Sequence, residues 1–294
     1  MTLTPNLRGA LFMTGSMAAF TLNDGFMKAL SGELPLMQAI FIRSLGVVVL
    51  LAGLAWSQNA LRFSISKPDL KLIGLRAVAE IAAVFFFITA LFNMPIANAS
   101  AILQALPLTV TLAGALFLGE AVGWRRFGAI LLGFVGVLLI VQPGGDGFTI
   151  YSVYALAAVV FVTIRDLAAR RLSPEIPSLM VALLTAVSLC VAFGLGSLTT
   201  TWAPISQAAW GNLIGAGVFV LGGYVFSVAA MRVGEIGMVS QFRYTSLLVA
   251  LILGLLVFGE WPDALTLIGA AIVVATGLFT LWREQHVAKA GARC

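Results

Sequence analysis

Thr21-Leu22-Asn23-Asp24 and Leu30-Ser31-Gly32-Glu33-Leu34-Pro35 return later in the chain as Thr163-Ile164-Arg165-Asp166 and Leu172-Ser173-Pro174-Glu175-Ile176-Pro177. Both matches are 142 residues apart. Leu118-Gly119-Glu120 matches Phe258-Gly259-Glu260 at a spacing of 140, and Gly128 and Gly136 match Gly269 and Gly277 at 141. Loop insertions and deletions produce a drift of that size. Apolar residues match by chance in any apolar chain, but polar and turn residues matched at both ends of two halves do not. The 294 residues are therefore read as one unit used twice, 1–145 and 146–294, with a short cytoplasmic tail from about residue 283.

Composition says where such a chain lives. Hydrophobic residues make up 61%, charged residues 10%, and the mean hydropathy is +1.05. A soluble domain carries roughly 25% charge, so this chain has too little polar surface to coat a globule. It reads as an all-α integral membrane protein. A spanning helix takes about 20 residues, and breaks in the apolar runs place ten of them at 8–29, 36–56, 70–92, 96–118, 125–141, 149–171, 178–196, 209–230, 236–258 and 264–282. The first run resembles a signal peptide, but the repeat requires it as a helix. Lys and Arg set the orientation. Arg8, Arg62, Lys67, Lys71, Arg125, Arg126, Arg170, Arg171, Arg232, Arg283, Lys289 and Arg293 all fall on the side of the N-terminus, whereas the other side has only Lys28. Both termini are then cytoplasmic, in an inner (plasma) membrane. Five helices per half is an odd number, so the second half is inverted. Two inverted five-helix repeats are a hallmark of secondary transporters, which bind substrate between the halves near the midplane.

Several chemistries are excluded. The one histidine, His286, lies in the polar tail, which removes a Ser-His hydrolase, and no metal site or other cofactor is expected. Cys190 and Cys294 form no disulfide framework. No Walker motif is present, so ATP does not drive the protein directly. The basic residues sit between apolar runs and make no nucleic-acid surface.

A duplicated five-helix unit, each half ending in Gly-Glu before a Gly-rich helix, resembles the drug/metabolite transporter superfamily, EamA type. Phe41-Ile42-Arg43 in the second helix and Ala97-Asn98-Ala99-Ser100 at the start of the fourth add to the resemblance. Overall the chain looks similar to the YddG aromatic amino acid exporters of that family. The resemblance implies export of amino acids or related small metabolites. It also implies a central cavity lined by helices one to four and six to nine, with the fifth and tenth as outer supports. Pro107 departs from the repeat, since Leu247 stands 140 residues on.

Ionisable side chains inside a bilayer cost roughly 2.5–3.5 kcal/mol each on insertion scales, so they face a cavity or a partner. Asp24 and Asp166 are paired by the repeat and fit either a structural carboxylate or a proton or ion coupling site. Arg165 replaces Asn23 and fits an ion pair with Asp166 or snorkelling. Arg76 and Glu80 lie one turn apart on the third helix, while Ala216 and Val220 occupy the corresponding places. They fit an internal salt bridge or a clamp for an amino acid, with the Arg on its carboxylate and the Glu on its ammonium. Ser240-Gln241-Phe242-Arg243-Tyr244 is the most polar stretch of any span; Ser240, Gln241 and Tyr244 share an α-helical face. Substrate contact is expected there and at Asn98 and Gln104. Arg43, opposite Thr185 in the repeat, fits a structural role, and Glu120 and Glu260 fit turn anchors.

The expectation is a carrier working by alternating access on amino acids, aromatic ones included. A multidrug or nucleotide-sugar carrier is the alternative, and a channel is a further one. Its partners are the small-molecule substrate and the lipid bilayer, and a monomer is expected.

Overall fold

The computed structural model describes residues 4–58, 66–119, 123–145, 148–173, 175–233 and 239–291. Among these every regular element is a helix: α1 (Pro5–Ala29), α2 (Leu36–Ser57), α3 (Lys67–Asn93), α4 (Ile96–Leu103), α5 (Leu106–Leu118), α6 (Trp124–Val141), α7 (Ile150–Arg170), α8 (Ser178–Ser197), α9 (Gln207–Val233), a 3₁₀ turn at Ser240–Tyr244, α10 (Thr245–Val257) and α11 (Ala264–Gly291). Local signals explain several ends. Thr4 and Ser66 side chains cap α1 and α3, each with a proline in the first turn. Gly32 and Gly119 turn the chain at positive φ, which glycine adopts at no steric cost.

Eight helical segments are long and apolar enough to cross a membrane: α2, α3, α4 with α5, α6, α7, α8, most of α9, and the 3₁₀ turn with α10. The chain is a multi-pass membrane protein. The other two of the ten expected spans differ for separate reasons. Among the described residues α11 carries a shorter apolar stretch, Ala264–Thr280. α1 has 25 residues but carries Ser16, Thr21, Asn23, Asp24 and Lys28. All of these except Asp24 are buried, so α1 turns its polarity into the protein.

The fourth expected span is broken. Pro107 has no N–H, and its ring clashes with the carbonyl four residues back in a continuous helix, so α4 stops at Leu103 and α5 restarts at Leu106. The ninth is also irregular, with a tight 3₁₀ turn leading into α10 and no proline near it. Residues 234–238, where that span was expected to begin, lie outside the described residues, as do Glu120, Pro174 and Arg62.

The main helix pairings are α1 with α9, α3 with α7, α2 with α8 and α6 with α11. Small residues permit close approach. Phe26 and Phe20 of α1 lie over Gly215 and Gly223 of α9, and Phe41 of α2 lies over Gly194 of α8. α6 crosses α11 at Gly136 and Gly269, where a Cβ on either glycine meets the other's carbonyl. Gly128, expected to serve the same packing, has nothing within 4 Å of a Cβ, and Gly277 accommodates the Tyr244 ring instead.

One end of the bundle is tied across the chain. Lys28 Nζ pairs with Glu260 at 3.0 Å and donates to the Met94 carbonyl at 2.7 Å. The other Glu260 oxygen accepts the Ile96 N–H at the start of α4. Gln38 exchanges two hydrogen bonds with the Ala203 backbone, and Ser206 donates to Glu33. Glu260 is thus a turn anchor, as its position implies.

Candidate functional site

The buried charges gather where α1, α2, α3, α7 and α9 meet. Arg165 of α7 is their connector. Its Nη1 donates to Glu80 Oε2 of α3 at 2.9 Å, and its Nη2 and Nε both reach Asp166 Oδ1 at 2.9 Å. Sequence spacing suggested Arg76 as the partner of Glu80. The structure gives Glu80 to Arg165, because α3 packs along α7 and brings the two helices' charges side by side. Arg76 makes no hydrogen bond or ion pair with a described residue, and its buried Nε has no acceptor.

Asp24 has a different arrangement. Its neighbour Asn23 donates to Asp24 Oδ1 at 2.9 Å, and Arg43 of α2 donates to Asn23 Oδ1 at 3.3 Å. Arg43 is within electrostatic reach of Asp24 and is more than nine-tenths buried. Thr185, which matches Arg43 in the repeat, only returns a hydrogen bond to its own helix at Val181.

Tyr224 of α9 stands at the centre, within electrostatic reach of Arg43, Arg76, Glu80 and Arg165. Phe20 meets it edge-on at 5.4 Å. Sequence reasoning missed Tyr224. The available signal was its asymmetry, since Val84 stands 140 residues earlier. Arg165 was noticed but left out of the expected site, and the paired exchange of Asn23 with Arg165 and Arg43 with Thr185 was the clue to it.

The ninth-span residues separate. In a 3₁₀ turn, positions i and i+3 eclipse, so Arg243 aligns with Ser240 and Tyr244 with Gln241. The expected shared α-helical face of Ser240, Gln241 and Tyr244 does not form. Tyr244 is buried against α11 at Gly277, with no hydrogen-bond partner for its hydroxyl. Arg243 is exposed, yet Asp166 and Arg165 are its electrostatic neighbours. Lipid contact is costly for a guanidinium, and these charged neighbours favour a polar path over the lipid face. Gln104 is buried and donates to Ser246 of α10 at 2.7 Å, while Asn98 Oδ1 is buried without a partner. The structure therefore brings Asp24, Arg76, Glu80, Asp166 and Arg243 to one region and leaves Gln104 and Tyr244 in helix packing.

Known proteins resemble this chain over most of its length. The EamA-like transporter family matches residues 7–142 and again 149–282. The chain belongs to the EamA-like transporter family. Its relatives include the pseudopaline exporter CntI of Pseudomonas aeruginosa, 28% identical over 272 residues that cover 90% of this chain and 93% of that one. The riboflavin transporter of Vibrio cholerae is 30% identical over 295 residues, covering 96% and 98%. The S-adenosylmethionine uptake transporter of Rickettsia prowazekii is 24% identical over 286 residues, covering 95% and 94%. A solved crystal structure shares the fold with a TM-score of 0.65 at 19% identity, over 95% of this chain and 99% of that one.

Proposed function

We propose that this family member is a secondary carrier of an amino acid or a related small carboxylate-bearing metabolite, working by alternating access between two inverted five-helix repeats in the inner membrane. The observation that carries this reading is the charged core itself. Arg165 bridges Glu80 and Asp166, while Arg76 and Arg243 beside it have no ion-pair partner among the described residues. Ionisable groups this deep in a membrane bundle mark a substrate or ion path.

The helix pairings support the repeat. Taken as first-with-eighth and third-with-sixth spans, the α1–α9 and α3–α7 contacts exchange when the halves exchange; α2–α8 and α6–α11 map onto themselves. The ties at the Lys28–Glu260 end support a conformation closed on that side, the outer side in this reading because the loop cations lie at the other end. Relatives named for export and for uptake occur in the same family, as suits a carrier whose direction follows the driving gradient. Asp24 is the coupling candidate in this reading, because Asn23 and Arg43 hold it without a direct Arg–carboxylate fork. Purified protein in liposomes tests the proposal. Saturable uptake and counterflow of a labelled solute are expected; linear, non-exchanging flux identifies a channel and removes the reading.

A further inference from the structure

We infer that the solute is a net organic anion, a carboxylate with no balancing ammonium, docked between Arg76 of α3 and Arg243 of the 3₁₀ turn. The inference rests on the carrier reading and adds the charge of its substrate. Four guanidiniums, Arg43, Arg76, Arg165 and Arg243, share the core with three carboxylates, Asp24, Glu80 and Asp166. Arginine stays protonated in proteins, so the core has at least one positive charge in excess, whatever the carboxylates do.

The excess is localised. Arg165 holds Glu80 and Asp166, and Arg43 serves Asn23 and Asp24. The Arg76 and Arg243 guanidiniums make no hydrogen bond or ion pair with a described residue. They come from opposite halves of the chain and flank the Arg165–Glu80–Asp166 group: Tyr224 links Arg76 to it, and Arg243 faces Asp166 and Arg165. A zwitterion needs a free carboxylate for its ammonium beside these two arginines, whereas Glu80 and Asp166 are taken by Arg165, and Asp24, on α1, accepts from Asn23 with Arg43 in electrostatic reach. A carboxylate without an ammonium needs only the two unpaired forks. Apolar rings lie beside the Arg165 and Asp24 parts of this group: Phe161, one turn before Arg165, stacks on Phe86 with centroids 5.6 Å apart, and Phe20, one turn before Asp24, meets Tyr224.

Two isosteric series test this, hydrocinnamate, phenylalanine and phenylalaninamide, with isocaproate, leucine and leucinamide beside them. Each runs from anion through zwitterion to cation on one carbon frame. Binding is read as ligand-dependent thermal stabilisation of the purified protein, and movement as counterflow in liposomes. The acids are expected to bind tightest and the amides weakest. Arg76→Gln and Arg243→Gln should each weaken the acids by about 10- to 150-fold, as loss of one charge-assisted hydrogen bond does, and should narrow the gap to the amides. Arg243→Lys should keep the order with lower affinity. Without ligand, Arg243→Gln should leave thermal stability unchanged while Arg165→Gln lowers it. If the amino acids or amides bind as tightly as the acids and are exchanged, the anion inference falls and the carrier reading stands. Equal ligand-free destabilisation by the two arginine variants gives Arg243 a partner within the protein and also overturns the inference. If no compound is bound or moved, both fall.

Discussion

The two repeated aspartates keep the same neighbours in opposite places. Around Asp24 the residue before it is Asn23 and the arginine comes from the next helix, Arg43. Around Asp166 the arginine is the preceding residue, Arg165, and the next helix offers Thr185. Each half thus has one arginine for its aspartate, supplied from a different position. The consequence is an asymmetry of contacts. Because Arg165 sits on α7 rather than on α8, it also reaches α3 and takes Glu80, which has no counterpart in the second half. Read as a repeat, each aspartate has one arginine nearby, and only Arg165 extends to a further carboxylate, Glu80.

The largest expected effect breaks the second arrangement. Arg165→Gln leaves the buried Glu80 and the part-buried Asp166 without their partner. Removing one member of a buried pair costs about 3–5 kcal/mol, so this variant should purify poorly and melt well below the unmodified protein. Adding Asp166→Asn should recover part of the loss by removing one orphaned charge, and adding Thr185→Arg should do so by rebuilding the first-half pattern. Melting temperatures in one detergent check both. If neither second substitution helps, the two halves are not interchangeable solutions of one problem.

Arg43→Gln sharpens the comparison. Arg43 faces one aspartate through Asn23, over 3.3 Å, and bridges no second carboxylate. The loss should be near that of one charge-assisted hydrogen bond, about 1.5–3 kcal/mol, and smaller than that of Arg165→Gln in the same assay.

Much of this was legible in the sequence, and the failures share a cause. The repeat, the apolar runs and the loop charges point to a helical membrane protein and its family, because period and composition are properties of single segments. Pairing between helices is not. Spacing of four placed Arg76 beside Glu80, but only the packing of α3 on α7 reveals that Arg165 arrives first. Ser240, Gln241 and Tyr244 were grouped by an α-helical period that the 3₁₀ turn does not follow. Tyr224 stood inside an apolar run, marked only by its asymmetry with Val84, and its neighbours gave that mark its meaning.

The repeated glycines extend the contrast. Gly269 matches Gly128 in sequence, yet a Cβ on Gly269 lies 2.5 Å from the Gly136 carbonyl whereas one on Gly128 meets nothing. Gly269→Ala should therefore cost about 1–3 kcal/mol through forced separation of α6 and α11. Gly128→Ala should be neutral or stabilising by up to about 1 kcal/mol, the helix-propensity difference. Equal effects would place the helix crossing elsewhere.

The smallest effect concerns how these two helices begin. Asp263 precedes α11, and its carboxylate accepts the Thr266 N–H and the Gln142 side-chain amide, each at 2.6 Å. α6 begins after Gly123, which has no side chain to offer. The Thr266 N–H first, and Gln142 after it, hold the Asp263 carboxyl below the usual carboxylate range. A lowered folded-state pKa means that the ionised carboxylate stabilises the protein above the unfolded value, and that this is lost as pH falls through the folded value. Asp263→Ala should cost about 1 kcal/mol, as loss of an N-cap does. Asp263→Asn keeps a capping oxygen, so it should cost less at neutral pH and should remove this acid-dependent part of the melting temperature. Gly123→Asp makes the converse change, offering α6 the carboxylate it lacks. A gain from Gly123→Asp comparable to the loss from Asp263→Ala would show that the two helix starts differ by one side chain. No gain would mean that Gly123 is kept for the path of its backbone, not for want of a cap.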